Sequence, residues 1–221
     1  MPVTLYQEEV QNYIIKTLSF EIDLLNSRIE ETSQADKIFK HGIKMLDKFN
    51  RPFIDVLQNY KQTFAFIAVL AMENNIVLRN LLLSKSKKEE LPLIKNGIIT
   101  MHEGCKRLIG FSNKNGNDKM IKSSLLYKIY SKFEIESPLL YDSFVKHINV
   151  FRDKLQNNNT KKLRDMLVHF HESEGDFNPF IFIEYIFGIN VDDVFSILWD
   201  YRLFLTEIGG LLLTLMHEDN K

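Results

Sequence analysis

An all-α fold follows from three features of this 221-residue sequence. Apolar residues recur at three- and four-residue spacing through most of its length, and sustained alternation is rare. Pro52, Gly110 and Pro138 stand where periodic runs start or stop. With 45% apolar and 26% charged residues, the chain has the composition of a globular protein and enough length for one core.

Residues from Val3 to about Glu31 open the helical pattern, with Thr4 as the expected cap and Tyr6, Val10, Tyr13, Ile14, Leu18, Ile22 and Leu25 on one stripe. A second helix is predicted through Ile38, Met45, Leu46 and Phe49. Together these form an N-terminal extension, residues 1–50, packed on a bundle of residues 51–221. Pro52 suits the first turn of a long helix reaching about Ser84, because its missing N–H has no intrahelical partner there. That helix is apolar around much of its circumference and should be central. After the basic turn Lys85, Lys87, Lys88, read as a solvated loop, a helix runs from about Glu89 to Ile109 and closes at Gly110. The polar segment Ser112 to Asp118 contains Asn115-Gly116, a turn signal and no phosphate-loop pattern. Helices are then predicted from Lys119 to about Phe133 and from Pro138 to about Leu155. Asn157 to Asn159 break the pattern, and Asn159 or Thr160 caps the next helix. After the turn at Gly175 to Pro179, residues 181–187 suit either a strand or a helix. Asn190, with Asp193 three residues on, opens a last helix that passes Trp199 and ends near Met216; Trp199, Tyr201 and Phe204 read as core or interface aromatics.

Twenty-eight basic residues nearly balance twenty-nine acidic ones, so nucleic-acid binding would have to rest on a local patch. Cys105 is the single cysteine, which excludes an intramolecular disulfide. The amino terminus lacks a signal-peptide pattern, and the apolar stretch from Phe64 to Leu83 is interrupted by Glu73, Asn74, Asn75 and Arg79. A cytoplasmic protein without a membrane span is the expectation.

Chemistry concentrates on the helix opened by Thr160. A rotation of about 100° per residue puts Leu163, Met166, Leu167 and Phe170 on one core-facing stripe. Arg164 and His169 then flank it, separated by roughly 140° around the axis and about 7.5 Å along it. On one helix they diverge. Two such helices meeting across a two-fold axis would bring Arg164 of one chain toward His169 of the other, with the apolar Val168 covered between them. Asp165, four residues before His169, is placed to orient the imidazole. Lys161 and Lys162 add positive charge beside Arg164, which would attract a phosphate backbone. A histidine to move a proton and a guanidinium to meet charge on phosphate suit phosphodiester chemistry without a metal or other cofactor.

Other constellations are weaker. His169, His171, Glu172 and Glu174 do not form a metal set, because residues two apart on a helix point away from each other. Cys105 with His102 one turn away can be drawn as a nucleophile pair, but the stripe Ile98, Met101, Cys105, Leu108 makes it a core thiol.

The run Arg164-Asp165-Met166-Leu167-Val168-His169 resembles the R-x4-H form of the HEPN motif, in which an Arg and a polar residue precede a His within a helical bundle. The resemblance covers roughly residues 52–216. It implies a homodimer whose motif helices meet at the interface. It also implies a metal-independent endoribonuclease of toxin-antitoxin, abortive-infection or CRISPR-linked defence, with RNA as substrate and an antitoxin or nucleotidyltransferase as partner. In that resemblance His169 activates the ribose 2′-hydroxyl or protonates the leaving oxygen, and Arg164 stabilises the phosphorane-like transition state. Asp165 stands where the family frequently has Asn. Some HEPN proteins lack nuclease activity, so a non-catalytic dimerisation or interaction module is the alternative.

Overall fold

The computed structural model describes residues 3–4, 6–46, 51–110, 124–131, 133–156, 163–165, 167 and 187–218. Among them the fold is all-α. Seven helices appear in order: α1 (Glu8–Leu46), α2 (Arg51–Leu83), α3 (Lys87–Leu108), α4 (Leu125–Tyr130), α5 (Phe133–Glu136), α6 (Pro138–Gln156) and α7 (Val191–Glu218).

Helix α2 lies at the centre, packed against α1, α3, α4 and α7. Its residues Ile67, Leu70, Val77, Leu78 and Leu81 are buried, as the apolar circumference of the sequence requires. By length and composition Gln58–Leu83 would also pass for a membrane span, but half of its most apolar window is covered by the rest of the fold.

Two sequence expectations for the N-terminal region are corrected. One helix of 39 residues, about 58 Å long, replaces the two predicted before residue 50. The polar stretch Thr32 to Asp36 contains no Gly or Pro to stop it, and Thr32 Oγ1 bonds back to the Arg28 carbonyl at 2.7 Å. Nor does Thr4 cap α1. Its N–H and hydroxyl donate to the two oxygens of Asp192, at 2.8 and 2.5 Å, tying the start of the chain to the first turn of α7. Val3 is buried there and Tyr6 meets Phe195 edge-on.

Helix ends elsewhere follow their residues. Gly110, at φ 69°, occupies the left-handed conformation after α3, while the Ile109 and Gly110 N–H groups donate to Cys105 and Lys106 carbonyls. The Ile109 carbonyl beyond the last turn accepts from Arg152 of α6 at 3.1 Å; that guanidinium is buried, with a second bond to Asn149. Ser124 accepts the Tyr127 N–H at the start of α4, and Asn190 accepts the Asp192 N–H at the start of α7.

Helix α6 is held to the bundle by stacked rings, Tyr130 on Phe144 with centroids 3.5 Å apart and Phe151 on Phe204 at 4.1 Å. Between α6 and α7, Lys154 pairs with Asp200 at 2.9 Å and His147 Nε2 lies 2.6 Å from a Glu207 oxygen. Residues 119–123, the start of a predicted helix, and residues 181–186, whose pattern suits strand or helix, lie outside the described residues.

Helix α3 approaches its neighbours through two glycines seven residues apart. A Cβ on Gly97 would come within 2.8 Å of Leu198, and one on Gly104 within 2.7 Å of the Tyr201 hydroxyl and 2.8 Å of Leu70. Tyr201 is fully buried and its rigid ring has no room to give. Gly104→Ala should therefore lower stability by about 1–2 kcal/mol despite the better helix propensity of alanine, which chemical denaturation would measure. An unchanged or increased stability would show that α3 and α7 are not in such close contact.

Candidate functional site

Leu163 and Leu167 are each only 6% exposed, so the core-facing stripe predicted for the Thr160 helix is present at the two positions described. Burying that stripe turns Arg164 and Asp165 to its flank, with side chains 25% and 38% exposed. The two are joined to each other. Arg164 Nε donates to Asp165 Oδ1 at 2.8 Å, and Arg164 Nη2 donates to the same oxygen. Adjacent side chains on a helix start out about 100° apart, and only a long, forked guanidinium can curl back across that angle.

Helical spacing offers His169 as the partner of Asp165. One oxygen of the carboxylate is engaged by Arg164. His169, Lys161, Lys162 and Val168 lie outside the described residues, as do Met166 and Phe170. Two of the five N–H donors of Arg164 are thus directed at a carboxylate, and a phosphate approaching the guanidinium meets that carboxylate as a competitor.

Cys105 is a core thiol, as the stripe predicted. It is fully buried, and its neighbour His102 is 2% exposed. Burial pushes the thiol well above its ordinary pKa, and the hydrogen bond with Tyr201 offsets this only in part. Burial likewise raises the Tyr201 hydroxyl, with the Cys105 thiol beside it adding to the effect. A thiol held protonated in this way is a poor nucleophile. Tyr201 and Phe204 are core residues, and Trp199 is partly buried against the core.

Long-range polar contacts supply what spacing did not reveal. Glu21 of α1 accepts from Asn75 of α2 at 3.0 Å and from Arg202 of α7, whose guanidinium also lies 4.7 Å from the centre of the Trp199 ring. Asn74 donates to the Leu198 carbonyl at 3.0 Å. Lys87, read as part of a solvated turn, donates to the Ile189 carbonyl at 2.8 Å and pairs at 3.6 Å with Glu90, which is fully buried. Adjacent Asn74-Asn75 in an apolar helix was the one visible signal, since buried amides need partners. A groove of about 550 Å³ between α2 and α3 has Phe66, Leu70 and Ile99 on its walls and Arg107 lying 5.5 Å over the Phe66 ring. It contains none of the residues singled out by the sequence.

No protein-family model, curated protein or solved structure matches this chain.

The raised thiol and phenols set an alkaline limit. In the unfolded chain Cys105 loses its proton near pH ~8.5 and the tyrosines near pH ~10, while the folded protein keeps those protons. Stability is therefore full below the unfolded values and falls as pH rises through them. Melting temperatures measured from neutral pH upward should decline from about pH 8.5, and Cys105→Ala should remove the first part of that decline. A flat profile to pH ~11 would contradict the burial of these groups.

Proposed function

We propose that the chain is a HEPN-like, metal-independent endoribonuclease acting in the cytoplasm in a defence or toxin-antitoxin setting. Its composite site would be built from Arg164 of one copy and His169 of another. The observation that supports this is the placement of Arg164 on the flank of a helix whose Leu163 and Leu167 are buried, which presents a guanidinium at the surface on a fixed support.

In the reaction, His169 takes the proton of a ribose 2′-hydroxyl as its oxygen attacks the adjacent phosphorus. The P–O5′ bond breaks, and a proton is returned to the departing 5′-oxygen. Arg164 meets the charge that grows on the non-bridging oxygens, and it does so after exchanging part of its bonding to Asp165 for phosphate. Lys161 and Lys162 supply sequence-independent attraction for the RNA backbone. An antitoxin or nucleotidyltransferase is the partner class that fits this function.

A second function is favoured by one observation, the Arg164–Asp165 bond itself. A guanidinium already matched by a carboxylate is suited to a non-catalytic dimerisation or interaction surface, where a neutral pair is less costly to cover than a lone charge.

A nuclease of this kind cleaves single-stranded RNA in the presence of EDTA, and His169→Ala lowers the rate by about 100-fold or more with no fall in melting temperature. Intact RNA after incubation with micromolar wild-type protein would exclude it. Asp165→Asn separates the two functions. In a nuclease the substitution removes the competitor for Arg164 and tightens RNA binding several-fold, measured by filter binding at fixed salt. In a non-catalytic module it leaves RNA binding unchanged and weakens self-association in sedimentation.

A further inference from the structure

The outer flank of α1 carries a row of large apolar side chains that its own bundle leaves uncovered. Tyr13 is 71% exposed, Phe20 69%, Leu24 47% and Val10 43%. With Thr17, which bonds back to the Tyr13 carbonyl, these residues fall at 10, 13, 17, 20 and 24. That is the alternating three-four spacing of a coiled-coil seam: Val10, Thr17 and Leu24 at a, Tyr13 and Phe20 at d. The side of α1 that faces its own bundle is a different one, with Ile14 and Leu18 buried about 100° around the axis from the seam. Helix α1 is therefore apolar on two faces, and the fold uses one.

We propose that this seam pairs with the same seam of a second copy of the chain, as a parallel, in-register two-stranded coiled coil. Orientation follows from where the bundle sits. Ile14 and Glu21 occupy e positions and attach α1 to the rest of its own chain. In an antiparallel pair the e positions face each other, which would drive two bundles into the same space. In a parallel pair they lie on opposite sides, and both bundles are accommodated.

Charge agrees with that choice. Lys16 and Asp23, at g, are exposed and form no ion pair with another described residue. In a parallel pair each g position meets the e position five residues on in the opposite helix. Lys16 then faces Glu21 of the second copy, and Asp23 faces Arg28. Both contacts are attractive, and each occurs twice across the two-fold axis. Glu21 already receives Arg202, and Arg28 already pairs with Glu31 at 2.9 Å, so each new charge joins an existing pair. The next a position is Glu31, which ends the seam after two heptads. Four aromatic rings with their Val and Leu neighbours would bury on the order of 1,000 Å², the lower bound for a specific dimer. The helix is already folded on its own bundle, so pairing orders no new backbone.

The test uses the full chain in sedimentation equilibrium. Wild type should be a dimer at micromolar concentration. Phe20→Glu should raise the dissociation constant by about 30-fold or more while the far-ultraviolet circular dichroism is unchanged. Asp23→Arg should weaken the dimer about 5-fold by facing Arg28 with a like charge, and adding Arg28→Asp should restore it. Leu24→Cys should cross-link two copies under mild oxidation, because a parallel, in-register pair sets position 24 of one helix against the same position of the other, whereas an antiparallel pair over this seam separates them by about 16 Å. Sedimentation is read without RNA, which makes the result independent of any RNA cleavage. A monomeric wild type, a Phe20→Glu protein that dimerises like wild type, or a double charge swap no better than Asp23→Arg alone would each overturn the proposal.

Discussion

The constraint on which this structure depends is the need to cover α2 on several sides at once. Its apolar surface is too wide for one partner helix, so α1, α3, α4 and α7 all pack against it. Close packing on several sides leaves little backbone clearance. Gly97 and Gly104 of α3 face Val77 and Leu70 of α2 as well as Leu198 and Tyr201 of α7, where a methyl group would collide. Polar groups in such a core need partners, and Asn74 and Asn75 find them on α7 and α1. The Glu21 carboxylate that receives Asn75 also receives Arg202, so one acid of α1 ties it both to the central helix and to α7.

Ties at the helix ends complete the bundle. Arg152 reaches the Ile109 carbonyl, Lys87 reaches the Ile189 carbonyl, and Asp192 accepts from Thr4. Each contact puts a charge where its sign is favoured: cations at carbonyls, and an anion in the first turn of α7 beside exposed N–H groups. They also position the first described residues. The start of α7 lies against residues 3 and 4, which explains why Val3 is buried so near the terminus.

Helices α2, α3, α6 and α7 were legible in the sequence because their boundaries carry strong chemistry: Pro52, Gly110, Pro138 and Asn190 act locally and need no tertiary information, whereas the single helix read from Lys119 to about Phe133 is described as α4 (Leu125–Tyr130) with α5 (Phe133–Glu136) apart from it. The core stripe through Ile98, Met101, Cys105 and Leu108 was equally plain. What spacing could not reveal was the continuity of α1 through Thr32 to Asp36, since a polar helical segment and a polar turn differ only when a breaker is present. Nor could it give Thr4 to Asp192, 188 residues apart. At the candidate site, the flank position of Arg164 followed from the burial pattern. Its bond to Asp165 did not, because a spacing rule for helix faces assigns neighbours at three and four residues and overlooks a side chain long enough to fold back on the next one.

That bond bears on how the site would work. An Arg held by the residue beside it is ready to meet phosphate only if something else completes the site, and helical spacing alone would turn His169 of the same chain away from it. A composite site shared by two copies has a direct consequence for mixtures of variants. When Arg164→Ala and His169→Ala chains are combined, each mixed dimer contains one site with both residues intact and one with neither. RNA cleavage measured after mixing the two inactive proteins should recover to about a quarter of the wild-type rate, with half the dimers mixed and one of two sites working. A mixture as inactive as either variant alone would contradict a site assembled from two chains.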